Sequence, residues 1–579
     1  MTQHCSILVH HPESMSPRLL STLLVQHQTL QRQIASRFIT GIRRHDQLHI
    51  LLAGPPGAGK THITSLICHQ LAQHTELQQS LRIVRFGPAE ISVGLLSLAR
   101  TLAQKLTQQD PAQFPPLLHS QTVALPPEQA ANAILSQIAQ QLQQCSLLLV
   151  LENLDQHFRG MSDADQKQWR AFLQETRCCS TLATTRTLFP EISDRNQPCF
   201  GFFDIHHLPA LQPAACQQLV HRICRLRRRK QLLPLLDSPA GRSRLQAATV
   251  LLKGNPRAWV LLAQALTSRS LKQLTPLLTH TLDALTPVLT QKLYDLSPQQ
   301  RQLLIGLCDQ EGAKTVQQLA ATTGVEERCC SRQLGFLREF QLVHAAKRGK
   351  ESLYDVTDPL LRLGLQPRHQ THHPLELTAA FLKDWFHTNL PDTPADPWQT
   401  TPDTKDPANP PPRTPLTPWP LLLAEDTAAT EFQRLLLQAF PPQSLNNPNT
   451  TNRGGNPAEL LRQMLRRSPH DWQLCINRIT PLYLQQHLDG TLAAGLVSTI
   501  AVIDQDDFSS SQLQSWNTLW QQAGKDRPYL QIALRCLAAA VQVLTSTRPS
   551  DRPLFQLPPE IRQLVRPLLT KTLGPVTSP

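Results

Sequence analysis

Apolar residues stand together, without alternation, at Leu48–Ala53 and Leu147–Leu151, the pattern of strands buried on both faces of a parallel sheet. Shorter strands are predicted at Leu81–Phe86, Ser180–Thr185 and Phe202–Leu208. Between them the spacing turns helical. Leu20, Leu23, Leu24, Leu30, Ile34, Phe38 and Ile42 recur at three- and four-residue intervals between Pro17 and Arg44, as in an amphipathic lead-in. A helix follows over His62–Leu71, and Leu-, Ala- and Gln-rich helical sequence runs on to Gln144, broken by a Pro-containing loop near Phe114–Pro127. Strands alternating with helices predict an α/β layer fold over this part of the chain.

Beyond residue 208 the strand pattern stops. Helices lead to Gly254-Asn255-Pro256-Arg257 and an apolar helix over Ala258–Leu266. From Asp283 the helices shorten and carry clear start signals: Ser297-Pro298-Gln299-Gln300 and Thr315-Val316-Gln317-Gln318 each place a hydroxyl cap three residues before a Gln. Helices over Ser297–Cys308, Thr315–Thr323 and Glu326–Phe340, with a turn at Gly324, form a helix-turn-helix; strands Leu342–His344 and Leu353–Val356 flank a basic turn, Lys347-Arg348-Gly349-Lys350. Pro391–Pro420 alternates Pro with Thr, Asp and Asn and reads as an extended linker, with a second break at Asn446–Gly455. The remaining stretches, Pro457–Arg467, Asp471–Leu488, Leu492–Ile503, Leu513–Gln522, Tyr529–Leu544 and Pro558–Leu569, read as helices suited to a partner-binding scaffold, without a clean repeat period.

A length of 579 residues calls for several domains. The 13 cysteines lack Cys-x-x-Cys spacing, which suits neither a zinc site nor a disulfide framework and points to a reducing, cytoplasmic setting. The longest apolar stretch, Leu492–Ile503, is well below the ~20 residues that cross a bilayer, so it is expected to be a buried helix and no membrane partner is expected. A formal charge of +13 suits an acidic partner such as duplex DNA. Part of that charge is the run Arg222–Lys230, which reads equally as a solvated helix face. His369, His372 and His373 could suggest a metal, but such clusters at a domain edge are more often solvated.

The chemistry centres on Gly54-Pro55-Pro56-Gly57-Ala58-Gly59-Lys60-Thr61, a complete phosphate-binding loop between a strand and a helix. Its glycines let successive N–H groups turn toward phosphate oxygens at a helix N-terminus; Lys60 is placed to reach the β- and γ-phosphates and Thr61 to hold Mg²⁺. The run Leu147–Leu151 delivers Glu152, Asn153 and Asp155 to the same sheet edge, and the strand ending Thr184-Thr185-Arg186 brings a hydroxyl and a cation there. ATP and Mg²⁺ are the expected ligands, with Thr61 and Glu152 at the metal.

This order of parts resembles the P-loop ATPases of the AAA+ and STAND kind, particularly origin-recognition-like ATPases that join the core to a winged helix, over roughly the first 370 residues. The resemblance implies an α/β P-loop NTPase core (48–208) after a helical lead-in (1–47) that packs beside the nucleotide's base. It further implies a helical lid (209–280) and a winged helix-turn-helix domain (281–370), ahead of a helix and Pro-rich linker (371–425) and an all-α C-terminal region (426–579). Glu152 to Asp155 match Walker B, Thr184 to Arg186 the sensor and Arg257 the lid arginine. The family's arginine-containing entry motif belongs near Val25–Gln31, where this chain reads VQHQTLQ. Aligned with the family's Asp-Glu pair, Glu152 falls at the metal-side acid and Asn153 at the water-activating Glu, so hydrolysis is expected to be slow unless Glu152 or Asp155 serves the water. In the helix-turn-helix, Arg328, Arg332 and Gln333 suit a DNA groove while Glu326 and Glu327 oppose phosphates; Lys347, Arg348 and Lys350 would meet the backbone. Direct DNA binding and service as an internal clamp both stay open. The functional expectation is an ATP-dependent switch, DNA-associated or regulatory, with a protein partner on the C-terminal helices. A DNA-stimulated ATPase acting as loader or remodeller, and a non-hydrolysing scaffold stabilised by ATP, are the alternatives.

Overall fold

The computed structural model describes residues 7, 11–115, 125–142, 145–268, 274–294, 296–309, 312–340, 342–348, 351–365, 374–388, 457–466, 472–473, 475–477, 480 and 489–575. The expected linker at Pro391–Pro420, the break at Asn446–Gly455, most of the stretch Asp471–Leu488, the three histidines near residue 370 and Lys350 lie outside them. The chain divides into two compact units: residues 1–228 with 254–263, and residues 229–253 with 264–579.

In the first unit, helices α1 (Pro17–Leu23) and α2 (Gln28–Arg44) precede β1 (His49–Ala53) and α3 (Lys60–Ala72). Next come β2 (Leu81–Phe86), α4 (Leu95–Gln109), α5 (Pro127–Gln141) and β3 (Ser146–Leu151). They are followed by α6 (Leu154–Arg159), α7 (Asp163–Glu175), β4 (Cys179–Thr185), α8 (Pro190–Ser193), β5 (Asp204–His207) and α9 (Pro213–Leu226). The five strands form one sheet in the order β2-β3-β4-β1-β5, every neighbouring pair parallel. Parallel pairing needs a crossover between neighbours, and the helical runs between the strands supply it. All six residues of β3 are buried. Alternate residues Leu147, Leu149 and Leu151 join a core with Leu98, Leu102 and Ile134 of α4 and α5, so the unbroken apolar run is explained by cover on both faces. The lead-in divides at residues 24–27 into α1 and α2; the Arg222 guanidinium of α9 donates to the carbonyls of Thr22 (2.8 Å) and Leu24 (3.1 Å) there. At least one cation of the basic run thus holds backbone.

The second unit begins with α10 (Leu233–Asp237) and α11 (Pro239–Leu252). Helix α12 (Pro256–Ala265) starts in the first unit, and the chain then stays in the second through α13 (Leu274–Tyr294), α14 (Pro298–Asp309), α15 (Val316–Thr323) and α16 (Glu327–Glu339). The antiparallel hairpin β6 (Val343–Arg348) and β7 (Glu351–Val356) follows, then α17 (Pro359–Leu365) and α18 (Pro374–Thr388). Both sequence caps form: Ser297 and Gln300, and Thr315 and Gln318, bond each other's backbone N–H reciprocally. Gly324 closes α15 at φ +71°. The basic turn is a correction: Lys347 and Arg348 belong to β6, opposite Ser352 and Glu351, because the ladder continues almost to the hairpin's end.

Residues 489–575 pack in this same unit, including α19 (Asp489–Gln505), whose stretch 492–500 is buried throughout as expected from Leu492–Ile503. No helix among the described residues is long and apolar enough to cross a membrane. The segment 552–562 lies against the hairpin. Ala313 N–H donates to Phe555 O at 2.8 Å, Arg562 pairs with Asp355 at 2.9 Å, Arg552 pairs with Glu351, and Arg362 donates through Nη2 to both carboxylate oxygens of Glu560, both side chains being buried.

Candidate functional site

The loop between β1 and α3 turns as its glycines require. Gly57 and Gly59 have φ of +84° and +93°, in the left-handed region that glycine enters without cost. Gly54 serves differently from the expectation that it curls the loop: it is needed for close approach, since a Cβ there would press on the Leu208 carbonyl at 3.2 Å. Lys60 and Thr61 open α3, whose N-terminal N–H groups are unsatisfied within the helix. The Lys60 ammonium curls over the loop and donates to the carbonyls of Gly54 (2.5 Å) and Pro55 (3.1 Å). Burial, and then the nearby charge of Arg186, push its pKa down to about 8; Arg257 adds to the shift, while Asp155 and Glu152 oppose it. Arg257 also stands close to the loop, its Cβ 3.2 Å from where a Cβ on Gly57 would lie.

Glu152 follows the last residue of β3 and is buried. Its Oε2 accepts from Thr61 Oγ1 at 2.5 Å, so the two residues expected at the metal do meet. Its Oε1 is taken by Arg85 of β2, through Nη2 and, at 3.2 Å, through Nε; Arg85 Nη1 also donates to Ser65 Oγ at 3.0 Å. The donors fit Mg²⁺ in kind: a hydroxyl and a carboxylate, both hard oxygens, side by side at a phosphate loop. Among the described residues no group of three or more His, Cys, Asp or Glu could hold a metal, so phosphate and water would complete the shell.

Asn153 has its backbone in the left-handed region (φ +56°), and its N–H donates to Thr184 Oγ1 at 3.1 Å, tying the ends of β3 and β4 together. Asp155 is buried one residue into α6, and the single Thr185 hydroxyl proton has two acceptors within reach, Asp155 Oδ1 at 3.4 Å and Thr187 O at 2.7 Å. Arg257 is half-buried at the start of α12 and its guanidinium pKa is lowered by that burial. The P-loop and the ends of β3 and β4 thus bring Lys60, Thr61, Glu152, Asp155 and Thr185 to one edge of the sheet, with Arg186 next after β4 and Arg257 at the start of α12.

Two residues here escaped the sequence reading. Arg85 sits in β2 opposite Val150, and nothing local marks it as the partner of Glu152. Asn255 caps α12, its Oδ1 accepting from the N–H groups of Arg257 (3.1 Å) and Ala258 (3.3 Å), while its Nδ2 donates to Pro56 O in the phosphate loop at 3.1 Å. The lead-in segment VQHQTLQ bears on the same neighbourhood. Gln26 donates to Ala210 O (3.2 Å) and accepts from Gln212 N–H (2.8 Å), on either side of Leu211.

In the second unit, Arg328 and Arg332 are exposed on α16, and the Arg332 guanidinium lies 6.0 Å from the Phe336 ring centre. Gln333 is not offered to a groove: it bonds Gln300 at 3.0 Å and Gln299 at 3.4 Å on α14. Lys347 is exposed within β6, Arg348 lies in the same strand, and Lys350 lies outside the described residues.

No protein family and no curated protein matches the chain. Among solved structures it is similar to a Walker-type ATPase of Pyrococcus abyssi, at 13% identity and a TM-score of 0.40, over 59% of this chain and 96% of that one. It is also similar to the ORC1 protein of Aeropyrum pernix in complex with DNA, at 12% identity and a TM-score of 0.39, over 61% of this chain and 95% of that one. A third similarity is to a Drosophila ORC structure bound to DNA, at 13% identity and a TM-score of 0.32, over 63% of this chain and 95% of that one.

Proposed function

We propose that the chain binds Mg-ATP at Gly54–Thr61, hydrolyses it slowly, and acts as a nucleotide-dependent switch. The observation that carries this reading is the glycine loop, left-handed at Gly57 and Gly59, that leads into the N-terminus of α3 with Lys60 buried over it and Arg257 beside it. A polyphosphate supplies the negative charge that such a site is short of, and the loop's N–H groups supply directional donors. Thr61 and Glu152 would hold Mg²⁺, which would supply positive charge to offset the negative charge of the phosphates. Lys60 exchanges its two loop carbonyls for phosphate oxygens, and Arg186 and Arg257 take the γ-phosphate.

Slow turnover follows from what stands after β3. Glu152 is engaged on both oxygens by Thr61 and Arg85, and the Asn153 amide has no basic site. Asp155 is the other carboxylate that follows β3, and its partner Thr185 holds it on the β4 side. Thermal melting tests the site. Ligand bound only to the folded state adds ~2.7 kcal/mol at a hundredfold excess over Kd, so Mg-ATP should raise the melting temperature of the wild type and leave Lys60→Ala unmoved. An equal shift in both proteins would refute the site.

Residues 281–370, within the second unit, are read as a winged helix whose two sides do different work. Its α16 face, with Arg328 and Arg332 exposed, is the candidate DNA contact. Its hairpin is occupied by the segment 552–562 through the Asp355 and Glu351 pairs, which favours a structural role for that side.

A further inference from the structure

We infer that Asn255 is a positioning residue: it latches the helix that carries Arg257 onto the phosphate loop and so sets how strongly the site prefers a nucleoside triphosphate to a diphosphate. The inference rests on the nucleotide-site reading above and deepens it. Four contacts support it. Oδ1 receives two backbone N–H groups, from Arg257 and Ala258, and only an oxygen can do so, which fixes the amide's orientation and turns Nδ2 toward Pro56 O. Gly57 leaves room for the latch, because a Cβ there would stand 2.6 Å from Asn255 Oδ1 and 3.2 Å from Arg257 Cβ. On the other side Gly254, at φ +63°, has its carbonyl bonded by Leu211 N–H at 2.9 Å. A Cβ on Gly254 would fall 2.1 Å from Leu211 O, so this approach too requires glycine. Leu211 lies between the two residues that Gln26 grips. The start of α12 is thus pinned between the phosphate loop and the segment that follows β5.

Only a side-chain amide does both jobs at this reach. Asp and Ser keep the cap, since either oxygen accepts from the first helical N–H groups, but Asp has no donor for Pro56 O and Ser is too short to reach it. Without the latch, Arg257 still begins a capped helix, but the loop no longer fixes where that helix begins. A γ-phosphate contact made by Arg257 then competes with many other placements, whereas the loop amides and Lys60 keep their phosphate contacts as before.

The test measures Kd for Mg-ATP and Mg-ADP, by competition against a fluorescent nucleotide, in the full-length wild type, Lys60→Ala, Arg257→Ala, Asn255→Asp and Asn255→Ser. Melting without nucleotide is followed in parallel. Asn255→Ser is expected to melt close to the wild type and to lose about tenfold in its preference for ATP over ADP, approaching Arg257→Ala. Asn255→Asp, which adds a negative charge beside the phosphates, should lose at least as much. If both Asn255 variants keep the wild-type ratio while Arg257→Ala loses it, Asn255 is only a cap and the inference fails although the site stands. If wild type and Lys60→Ala bind nucleotide alike, the site reading and the inference fail together.

Discussion

Asn153 ends a strand whose next residues decide whether the site can activate water, and its amide cannot take a proton. General-base assistance is worth roughly 10²–10⁴-fold, so a site without it should keep its nucleotide long enough to signal with it. Single-turnover hydrolysis is expected to be slow in the wild type and faster in Asn153→Glu, provided the new carboxylate faces the site; Glu152→Gln should then weaken Mg²⁺-dependent binding more than it changes the chemical step. A wild type that turns over several times per second and loses this in Glu152→Gln would instead make Glu152 the base. Lys60 supports a second expectation at this scale. Its pKa is lowered to about 8 in the site as described, with burial as the main cause, Arg186 and Arg257 in the same direction and Asp155 and Glu152 against. A lowered lysine pKa means that the unfolded chain binds more protons than the folded one between about pH 8 and the usual lysine value, so this group makes the protein more stable as pH rises through that window. Phosphate favours the ammonium form and raises the pKa back toward the ordinary lysine value. Mg-ATP binding should therefore take up protons at pH 8.5, and its affinity should fall as pH climbs above 8. Calorimetry in two buffers of different ionisation heat measures this directly, and equal heats in both would contradict it.

Among the elements, α16 carries the clearest expectation about DNA. Arg328 and Arg332 are one helical turn apart and exposed, whereas Gln333, on the neighbouring face, is spent on α14. Each phosphate neutralised contributes about 0.9 to the slope of log affinity against log salt, so the double change Arg328→Ala with Arg332→Ala should flatten that slope by up to about 2 if both touch backbone. It should relax sequence preference if either reads a base. Anisotropy titrations at several KCl concentrations measure both effects; an unchanged slope and an unchanged preference would leave the helix no DNA role and the module a structural one. What the sequence disclosed about these elements followed the range of the interactions involved. The caps at Ser297 and Thr315 were legible because each is closed by a Gln three residues on. The P-loop was legible because positive φ selects glycine at fixed positions. The ends of β6 and β7 were not, since a ladder ends where cross-strand pairing ends, and Lys347 and Arg348 carry no local mark of being paired. Arg85 and Asn255 were missed for the same reason at longer range: their partners lie 67 and 199 residues away. An Asn before Pro-Arg is a readable cap signal, but its second bond, to the phosphate loop, exists only in the folded unit.

At the scale of the whole chain, the division into units does not follow the boundaries that composition suggests. The expected lid of residues 209–280 is shared out: residues up to 228 and 254–263 belong with the sheet, while 229–253 belong with the helices and hairpin downstream, so the chain passes from one unit to the other three times. Periodicity showed that α11 is a helix and could not show what covers it. Its residues Ala240, Leu245, Ala248, Leu251 and Leu252 are buried, and its principal packing partner is α18, where Phe381, Leu382 and Trp385 are buried in turn. A protein ended after residue 280, which the sequence alone recommends as an ATPase core with its lid, would keep α11 and lose α18. Burying a leucine is worth about 1.5–3 kcal/mol, and the leucines of α11 would then lose their principal cover, with α10 the main element left against the helix. That truncated protein is expected to bind a hydrophobic dye and to self-associate, measured by fluorescence and light scattering, while the full chain does neither. Leu245→Glu with Leu252→Glu separates this cause from general misfolding. The pair should improve the behaviour of the truncated protein, where the face has lost that cover, and destabilise the full chain, where it would bury two carboxylates without partners. A truncated protein that stays monomeric, binds no dye and is indifferent to the double change would show that α11 is covered within the first 280 residues, and that the unit boundary drawn at residue 229 is wrong.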